Sequence, residues 1–259
     1  MQIPFFKYQG TGNDFIIIDN RQQIFPKNNT KLVAQLCDRK FGIGADGLIL
    51  LELSDLHDFS MVYYNSDGNL SSMCGNGGRC IVAFAKLLKV IENKASFEAI
   101  DGLHEAVINN DFVSLKMSDV SMINKFDDHL FLNTGSPHHV TFVENLKKVK
   151  VKKTGSKIRF GSPYFEKGSN VNFVEQKNGN TFKVRTYERG VEDETLSCGT
   201  GVTAVAIASH KAGKTENDII NLETPGGKLE VSFEFDNNTY KNVFLKGTAT
   251  LVFKGQIDI

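Results

Sequence analysis

Short runs of β-branched and aromatic residues recur along the chain, separated by turns rich in glycine and asparagine. Such runs are typical of β-strands, whose alternate side chains point to opposite faces. The predicted strands are residues 15–19, 48–51 and 60–64 in the first half and 182–187, 227–233 and 243–245 in the second. A last run at residues 251–253 predicts a strand that we expect to return to the first half.

Two other segments are apolar on nearly every side when drawn as helices. They cover about residues 79–90 and 202–212, one in each half of the chain. A helix without a polar face has to be buried on most sides. We therefore expect each half to be a curved sheet wrapped around one central helix, with Gly213 as the C-cap of the second helix.

The two halves of the chain resemble each other. Landmarks recur in the same order at an offset of 123 to 124 residues, and they are Gly12 and Gly135, Gly44 and Gly168, Tyr63 and Tyr187, and Cys74 and Cys198. A constant offset predicts an internal duplication. The expected fold is α/β (α+β), with two similar domains that each have a mixed sheet around a central helix. Residues 1–117, with 250–259 returning to them, and residues 118–249 form these domains, facing each other across a small-molecule site.

Composition narrows the possible functions. The 259 residues carry 30 basic and 30 acidic side chains, so the formal net charge is zero. This balance argues against nucleic acid or an anionic membrane as a partner. The sequence shows neither an apolar run that could span a membrane nor a signal peptide, and we expect a cytoplasmic protein.

The most informative motifs are Cys74-Gly75-Asn76-Gly77 and Cys198-Gly199-Thr200-Gly201. Each comes directly before a predicted central helix, whose first N–H groups and partial positive charge attract anions. Glycine allows a ligand to approach the backbone closely, and a thiol in this position has a lowered pKa. Each half therefore combines a reactive thiol with a nest for a carboxylate.

Two such units predict one reaction. A thiolate removes the α-proton of a bound amino acid, and the thiol of the other unit delivers a proton to the opposite face. Backbone N–H groups stabilise the charge that builds up on the carboxylate. This scheme requires no cofactor and no metal.

Other interpretations of the motifs stay open. The cysteines could be small buried residues, or phosphate-binding loops could explain the glycines. A disulfide between Cys74 and Cys198 would be an oxidised, inactive form. Cys37 and Cys80 lie outside the duplicated turns and are expected to be structural, and the cysteine spacing does not predict a metal site.

Four segments resemble the diaminopimelate epimerase family, and the similarity spans nearly the whole chain. They are Gly10-Thr11-Gly12-Asn13-Asp14-Phe15, Asn65-Ser66-Asp67-Gly68, residues 73–80, and residues 187–190 with 194–201. The resemblance implies a cofactor-independent isomerase that interconverts LL- and meso-diaminopimelate in lysine and peptidoglycan precursor synthesis. It also implies a homodimer.

The resemblance further implies roles for individual residues. Cys74 and Cys198 correspond to the acid–base pair, and Glu188 and His138 also belong to the catalytic group. Glu188 would pair with the reacting ammonium group, and Arg189 would hold the distal carboxylate. The implied substrate-binding residues are Asn13, Asn65, Gly75, Asn76, Asn170, Glu188, Arg189, Gly199 and Thr200.

The sequence departs from the family pattern at two positions that touch substrate. Ser136 stands where many members carry asparagine, and Gly47 stands where some carry glutamine. These departures leave the two-thiol chemistry intact and put the detailed substrate geometry in question.

Three other functions remain to be separated by experiment. One is an epimerase of proline, hydroxyproline or histidine, although Asn76 replaces the histidine that proline-racemase relatives tend to carry. Another is an isomerase of the phenazine-biosynthesis type, whose members lack the cysteine pair. The third is a binding protein or a redox sensor that uses Cys74 and Cys198.

Overall fold

The computed structural model describes residues 2–71 and 73–258. The chain divides into two compact units, of which the first is Met1–Leu115 with Gly247–Ile259 and the second is Lys116–Lys246. The predicted boundaries after residues 117 and 249 therefore differ from the observed ones by two and three residues.

The first part of the chain alternates strands with two helices. In order, these elements are β1 (Gln2–Gly10), β2 (Asn13–Asp19), α1 (Thr30–Cys37), β3 (Gly47–Glu52), β4 (Phe59–Asn65), α2 (Gly75–Leu87), β5 (Lys94–Ala99), β6 (Gly102–Asn109) and β7 (Phe112–Lys116).

The second part repeats this succession. Its elements are β8 (Ile123–Lys125), β9 (Leu130–Asn133), β10 (Pro137–Phe142), α3 (Val151–Phe160), β11 (Asn170–Asn178), β12 (Thr181–Glu188), β13 (Asp193–Thr195), α4 (Gly199–Lys211), β14 (Ile219–Thr224), β15 (Gly227–Asp236) and β16 (Thr239–Thr248). A 3-10 turn at Leu146–Lys148 precedes α3, and the last strand, β17 (Thr250–Asp258), belongs to the first unit.

Strand pairing demonstrates the duplication at the level of topology. In the first unit, successive pairs from β17 through β1 to β7 are antiparallel, antiparallel, parallel, antiparallel, parallel, antiparallel and antiparallel. In the second unit, the pairs from β8 to β12 and on through β14 to β16 follow the same pattern. The short strand β13 pairs separately with β12. The expected fold class, with two similar α+β units, is confirmed.

Each central helix forms the core of its own unit. Helix α2 packs against β1, β2, β3 and β6, and α4 packs against β9 to β12 and against β14 and β15. Ten of the thirteen residues of α2 are buried, as are ten of the thirteen residues of α4. The sheet therefore surrounds the helix on most sides, which explains why neither helix has a continuous polar face.

Both central helices begin earlier than the hydrophobic pattern predicts. The pattern places their starts at about residues 79 and 202, whereas α2 begins at Gly75 and α4 at Gly199. Glycine disfavours helix in isolation because the unfolded chain loses more backbone entropy. Here tertiary packing outweighs that preference, since a Cβ on Gly77 would already lie 3.1 Å from Ile49 Cδ1.

The hydrophobic pattern does not predict helices α1 and α3. Helix α1 has only eight residues. Four of the first nine residues of α3 are lysine or arginine and one is glycine, so this helix has no clear apolar face. Gly155 lets α3 approach β12 closely, because a Cβ there would lie 2.4 Å from Tyr187 Cβ. Such contacts depend on residues distant in sequence, so local patterns do not reveal them.

Candidate active site

Cys74 is the N-cap residue of α2. Its backbone is extended, with φ −96° and ψ 130°, and its carbonyl accepts the N–H of Gly78 at 2.7 Å. The N–H groups before Gly78 therefore lie outside the helix's own hydrogen-bond ladder. The half-buried thiol donates to Asn13 Oδ1 at an Sγ–Oδ1 distance of 3.4 Å.

The orientation of the Asn13 amide is fixed by its neighbours. Asn13 Nδ2 donates to the carboxylate of Asp46 at 2.7 Å, so Oδ1 points the other way. There it accepts from Cys74 Sγ and from Asn76 Nδ2, the latter at 3.2 Å. Asp46 thus determines which end of Asn13 meets the thiol.

Asp14 anchors the start of β2 beside this group. Its carboxylate accepts from Arg39 at 2.7 and 3.0 Å and lies 2.8 Å from Lys7 Nζ. Burial opposes ionisation, but hydrogen bonds and charge from Arg39 and Lys7 outweigh it and lower the pKa of Asp14 to about 2. Lys7 also donates to the backbone carbonyl of Gly44, in the loop that leads to Asp46.

Cys198 occupies the equivalent place in the second unit. It is the N-cap of α4, with φ −124° and ψ 115°, and its carbonyl accepts the N–H of Val202 at 3.0 Å. The residue is only 7% exposed. Its sulfur lies 3.5 Å from Thr200 Oγ1, whereas Cys74 contacts an asparagine amide.

A chain of hydrogen bonds leads from Asn172 to the sulfur of Cys198. Asn172 Nδ2 donates to the backbone carbonyl of His139 at 3.1 Å, and its Oδ1 accepts from Thr186 Oγ1 at 2.9 Å. Because a carbonyl can only accept, this contact fixes the amide orientation. Asn172 Nδ2 therefore also donates to His138 Nδ1, at 3.1 Å.

The state of His138 follows from that contact. With Nδ1 as an acceptor, the ring proton is on Nε2 and is donated to Thr200 Oγ1 at 2.9 Å. The Thr200 hydroxyl proton is then available for Cys198 Sγ. Burial, reinforced by the charge of Arg189, lowers the pKa of His138 to about 3, so the ring stays neutral near pH 7. His138 orients the Thr200 hydroxyl and does not itself contact the sulfur through a described hydrogen bond.

Asn170 holds the loops around β12. Its Nδ2 donates to Ser136 Oγ at 2.9 Å and to the carbonyl of Pro137 at 3.2 Å. Its Oδ1 accepts the backbone N–H of Arg189 at 2.8 Å. Ser136, one of the two departures from the family pattern, is therefore part of the support for Asn170.

Glu188 and Arg189 lie at the end of β12. Glu188 is half-buried and its backbone carbonyl accepts the N–H of Glu192 at 2.8 Å. Arg189 is exposed, and its Nη1 donates to the carbonyl of Lys167 at 2.8 Å. The remaining guanidinium nitrogens of Arg189 can donate hydrogen bonds to a ligand carboxylate.

Asn65 lies at the end of β4 with an exposed side chain, and its backbone pairs with Gly47 on β3. Gly47 is the other departure from the family pattern. A Cβ on this residue would lie 2.5 Å from both the Tyr63 ring and the Tyr64 carbonyl. The Tyr63 ring fills the space that a longer side chain at position 47 would need.

None of the four cysteines, all of which the structure describes, is in a disulfide. Burial raises the pKa of Cys37 and of Cys80 to about 12, which keeps both protonated and unreactive. Within residues 2–71 and 73–258, no three His, Cys, Asp or Glu side chains are grouped so that they could hold a metal ion. None of the helices described there is long and apolar enough to cross a membrane.

Sequence reasoning missed two supporting residues, Asp46 and Asn172. Asn172 is fully buried on the same strand face as Asn170, two residues away, and two polar residues with this spacing in an apolar strand were the available signal. Asp46 belongs to the repeated landmark that begins at Gly44, but the sequence did not show that it faces Asn13.

Comparison with known proteins identifies the family. The sequence matches the model of the family described as diaminopimelate epimerase over residues 5–123 and 130–252. The diaminopimelate epimerase of Flavobacterium psychrophilum is 62% identical over 253 residues, which cover 97% of this chain and 99% of that protein. The chain belongs to the diaminopimelate epimerase family. Another diaminopimelate epimerase, from Chlorobaculum tepidum, is 42% identical over 262 residues, covering 96% of this chain and 99% of that one.

Solved structures extend the family's fold to more distant proteins. A phenazine biosynthesis protein of the PhzF family from Bacillus anthracis superposes with a TM-score of 0.78 at 14% identity, covering 100% of both chains. A hydroxyproline epimerase from Agrobacterium vitis superposes with a TM-score of 0.71 at 14% identity, covering 99% of this chain and 92% of that one. At such low identity these similarities establish the fold alone.

Proposed function

We propose that this member of the diaminopimelate epimerase family interconverts LL- and meso-diaminopimelate, with Cys74 and Cys198 as its acid–base pair. The observation that carries the proposal is that each unit places one cysteine, outside any disulfide, at the N-cap of its central helix. Neither cysteine side chain caps its helix, so the helix does not require a thiol there.

The reaction moves one proton and inverts one carbon. The thiolate of one cysteine takes the α-proton, and the electron pair stays on the carbon and spreads into the carboxylate. The thiol of the other cysteine then donates its proton to the opposite face of that carbon. The two sulfurs end with their protonation states exchanged, and proton exchange with water restores them.

The helix N-termini lower the barrier to carbanion formation. Negative charge grows on the substrate carboxylate as the proton leaves, and the N–H groups at Gly75, Asn76, Gly199 and Thr200 belong to the first turns of α2 and α4. Fixed donors of this kind stabilise the transition state more than the bound substrate.

The remaining polar residues suit a substrate with a second amino-acid end. In this proposal Glu188 pairs with the reacting ammonium group, and Arg189 binds the distal carboxylate. Asn13, Asn65 and Asn170 hold the distal end, and His138 keeps the Thr200 hydroxyl in place. Support comes from the half-buried Glu188, the exposed guanidinium of Arg189 and the fixed amide of Asn13.

We also propose that the protein is a homodimer in the cytoplasm. Exposed apolar side chains on β17 support an association between copies, since Leu251, Val252 and Phe253 are 39%, 55% and 47% exposed. Four cysteines outside disulfides are compatible with a reducing compartment.

The test is proton NMR of LL-diaminopimelate in heavy water with the purified, reduced protein and no added cofactor. We expect the α-proton signal to disappear as the meso isomer accumulates. Exchange with another amino acid but not with diaminopimelate would support the two-thiol mechanism and show that the substrate is a different amino acid. An absence of exchange with every amino acid, or activity that appears only after oxidation, would favour the binding-protein or redox-sensor alternative.

We expect Cys74→Ala and Cys198→Ala each to lower kcat by about 10²- to 10⁴-fold, because one face loses its proton carrier. Cys37→Ala is the matched control, since it removes a buried thiol outside both motifs. Initial rates of the three variants measure turnover, and far-UV circular dichroism shows whether each variant is folded. Substantial turnover by a folded Cys74→Ala variant would contradict the two-thiol mechanism.

Arg189→Ala should raise KM for diaminopimelate by about 10- to 100-fold, as expected when a charge-assisted hydrogen bond is lost. The comparison substrate is 2-aminoheptanoate, which has the same reacting end and lacks the distal carboxylate. Its α-proton exchange rate should change little in the variant. An equal loss with both substrates would show that Arg189 does not bind the distal carboxylate.

A further inference from the structure

Arg79 lies one turn into α2, directly behind the N-cap cysteine, and is fully buried. Its Nη2 donates to Thr11 Oγ1 at 3.0 Å and to Asn76 Oδ1 at 3.1 Å. Its Nη1 donates to the carbonyl of Gly75 at 3.3 Å. The guanidinium therefore contacts the first two residues of the helix that follows Cys74.

Among the residues that the structure describes, the charge of Arg79 is not matched by a carboxylate. Within the described part of the chain, no Asp or Glu forms an ion pair with it, and its buried Nε has no hydrogen-bond partner. A buried cation that lacks a counter-charge is strongly unfavourable, and it is usually paired. Arg79 is such a buried cation, and its described hydrogen bonds all go to neutral groups.

Thiols are the nearby groups that can become anionic. Burial lowers the pKa of Arg79, while Cys80 and Cys74 act in the opposite direction. Cys80 is fully buried and its pKa is raised to about 12, so it stays neutral. Because an interaction between two charges is mutual, Arg79 must favour the thiolate form of Cys74 to the same degree as that thiolate favours the guanidinium.

The second unit shows that the helix itself does not need this charge. Thr203 stands at the position in α4 that corresponds to Arg79, 124 residues later. Its hydroxyl donates to the carbonyl of Gly199 at 3.0 Å, which is the same hydrogen bond that Arg79 makes to Gly75. A neutral side chain is therefore sufficient to hold the first helical carbonyl, and the positive charge in α2 has another role.

We propose that Arg79 is a positioning residue that supplies the fixed counter-charge for the anion formed at Cys74 and orients Asn76 toward Asn13. This inference rests on the proposed function, in which Cys74 cycles between thiol and thiolate. Asn76 Oδ1 accepts from Arg79, so Asn76 Nδ2 is directed to Asn13 Oδ1, the group that also contacts the sulfur.

Other ionisable groups near this end of α2 are already compensated or neutral. Burial raises the pKa of Tyr8, on β1, to about 12, which keeps it neutral. Asp14, on β2, is paired with Lys7 and Arg39. Asp101, between β5 and β6, accepts from the N–H of Met73 and from His104.

The test is the pH dependence of alkylation of each cysteine by iodoacetamide, without substrate, followed by peptide mass spectrometry. Arg79→Gln keeps a hydrogen-bond donor and removes the charge. In this variant we expect the midpoint for Cys74 to rise by about one pH unit or more, as when a nearby opposite charge is lost. The midpoint for Cys198 should stay at its wild-type value, and kcat should fall by about tenfold or more while KM changes less.

Thr203→Val is the matched control, because it removes the equivalent hydrogen bond in α4 without removing a charge. It should leave the alkylation midpoints of both cysteines unchanged. An unchanged Cys74 midpoint in folded Arg79→Gln would overturn the inference, as would an equal shift in Thr203→Val.

Arg79→Lys separates charge from folding if the glutamine variant does not fold. An ammonium keeps the charge, so its Cys74 midpoint should stay close to that of the wild type. A midpoint raised by about one unit in a folded lysine variant would overturn the inference. Failure of wild-type epimerisation would instead reject the proposed function, since the alkylation experiment contains no substrate.

Discussion

Lys89 and Gly213 occupy the same position after the two central helices. Both residues have a left-handed backbone, with φ +59° and +70°. The N–H of Lys89 donates to the carbonyl of Lys86 at 3.0 Å, and the N–H of Gly213 to that of His210 at 2.9 Å. The residues that follow, Val90 and Lys214, complete the same Schellman motif at 2.9 and 3.0 Å. Glycine adopts this conformation without steric strain, whereas the Cβ of a lysine lies too close to the carbonyl oxygen of the same residue.

Lys89→Gly should therefore raise the free energy of unfolding by about 1 kcal/mol. The lysine side chain is exposed and makes no described hydrogen bond, so little else is lost. Urea denaturation measures the difference. Gly213→Ala is the reciprocal variant, and we expect it to lose about 1 kcal/mol, since a Cβ there would meet nothing within 4 Å and only the backbone strain counts. A destabilised Lys89→Gly would show that strain is not the governing effect.

The central helices have the same length and equivalent ends but different surroundings at their first turns. Gly77 in α2 and Gly201 in α4 are equivalent positions. A Cβ on Gly77 would meet the ends of apolar side chains, at 3.1 Å from Ile49 and 3.4 Å from Phe15. A Cβ on Gly201 would lie 2.7 Å from Asn172 Oδ1 and 3.3 Å from Cys198 Sγ. Only α4 therefore packs its third residue directly against the polar groups that orient its cysteine.

Gly201→Ala should lower kcat by about 10²-fold or more, because the new methyl group displaces Asn172 and Cys198. This displacement disrupts the hydrogen bonds that connect the two residues through His138 and Thr200. Gly77→Ala is the matched control, and its activity should stay within about tenfold of the wild type, since flexible apolar side chains can move aside. Initial rates at saturating substrate provide the comparison. Equal losses in the two variants would mean that the polar contacts of α4 have no special importance.

At the scale of the whole molecule, the two units share one topology but differ in the charges of the residues near their cysteines. In the first unit Cys74 contacts Asn13, which the Asp46 carboxylate orients, and the buried Arg79 lies one turn into the same helix, whereas the second unit uses the neutral groups Asn172, His138 and Thr200. The formal net charge of the chain is nevertheless zero. We therefore expect the free energy of unfolding to depend on pH in the acidic range mainly through individual carboxylates that are paired with basic side chains.

Asp14 provides the clearest case. Its folded pKa, about 2, is below the value of 3.8 for an unperturbed aspartate. A lowered pKa contributes stability that is present above about pH 4 and is lost as the pH falls toward 2, and the shift corresponds to about 2 kcal/mol. Asp14→Asn should be less stable than the wild type at pH 7, and the difference should shrink between about pH 4 and pH 2.

Guanidinium denaturation at a series of pH values measures this effect. Asp55→Asn is the control, because Asp55 is exposed and lies outside the Lys7–Asp14–Arg39 network. Its stability should follow that of the wild type at every pH. A constant difference between Asp14→Asn and the wild type down to pH 3 would contradict the assigned role of the carboxylate.

The sequence alone was sufficient to find the duplication, the strands that contain alternating apolar residues, and the two cysteine motifs. The strands and the cysteine motifs are local patterns, which follow from backbone geometry and from short-range propensity. The repeat added the one long-range inference, because two similar halves imply two equivalent helix N-termini. The family resemblance supplied the roles of residues such as Arg189, which no local pattern marks as functional.

Tertiary structure decided what those motifs contact. It extended α2 and α4 back to Gly75 and Gly199, because packing outweighs the low helix propensity of glycine. It placed Asp46 against Asn13 and Asn172 against His138, and among the described residues it gave Arg79 only neutral hydrogen-bond partners. The physical reason is the same in each case: hydrogen-bond direction and the cost of a buried charge depend on neighbours that are distant in sequence, and only the folded chain brings these neighbours within a few ångströms.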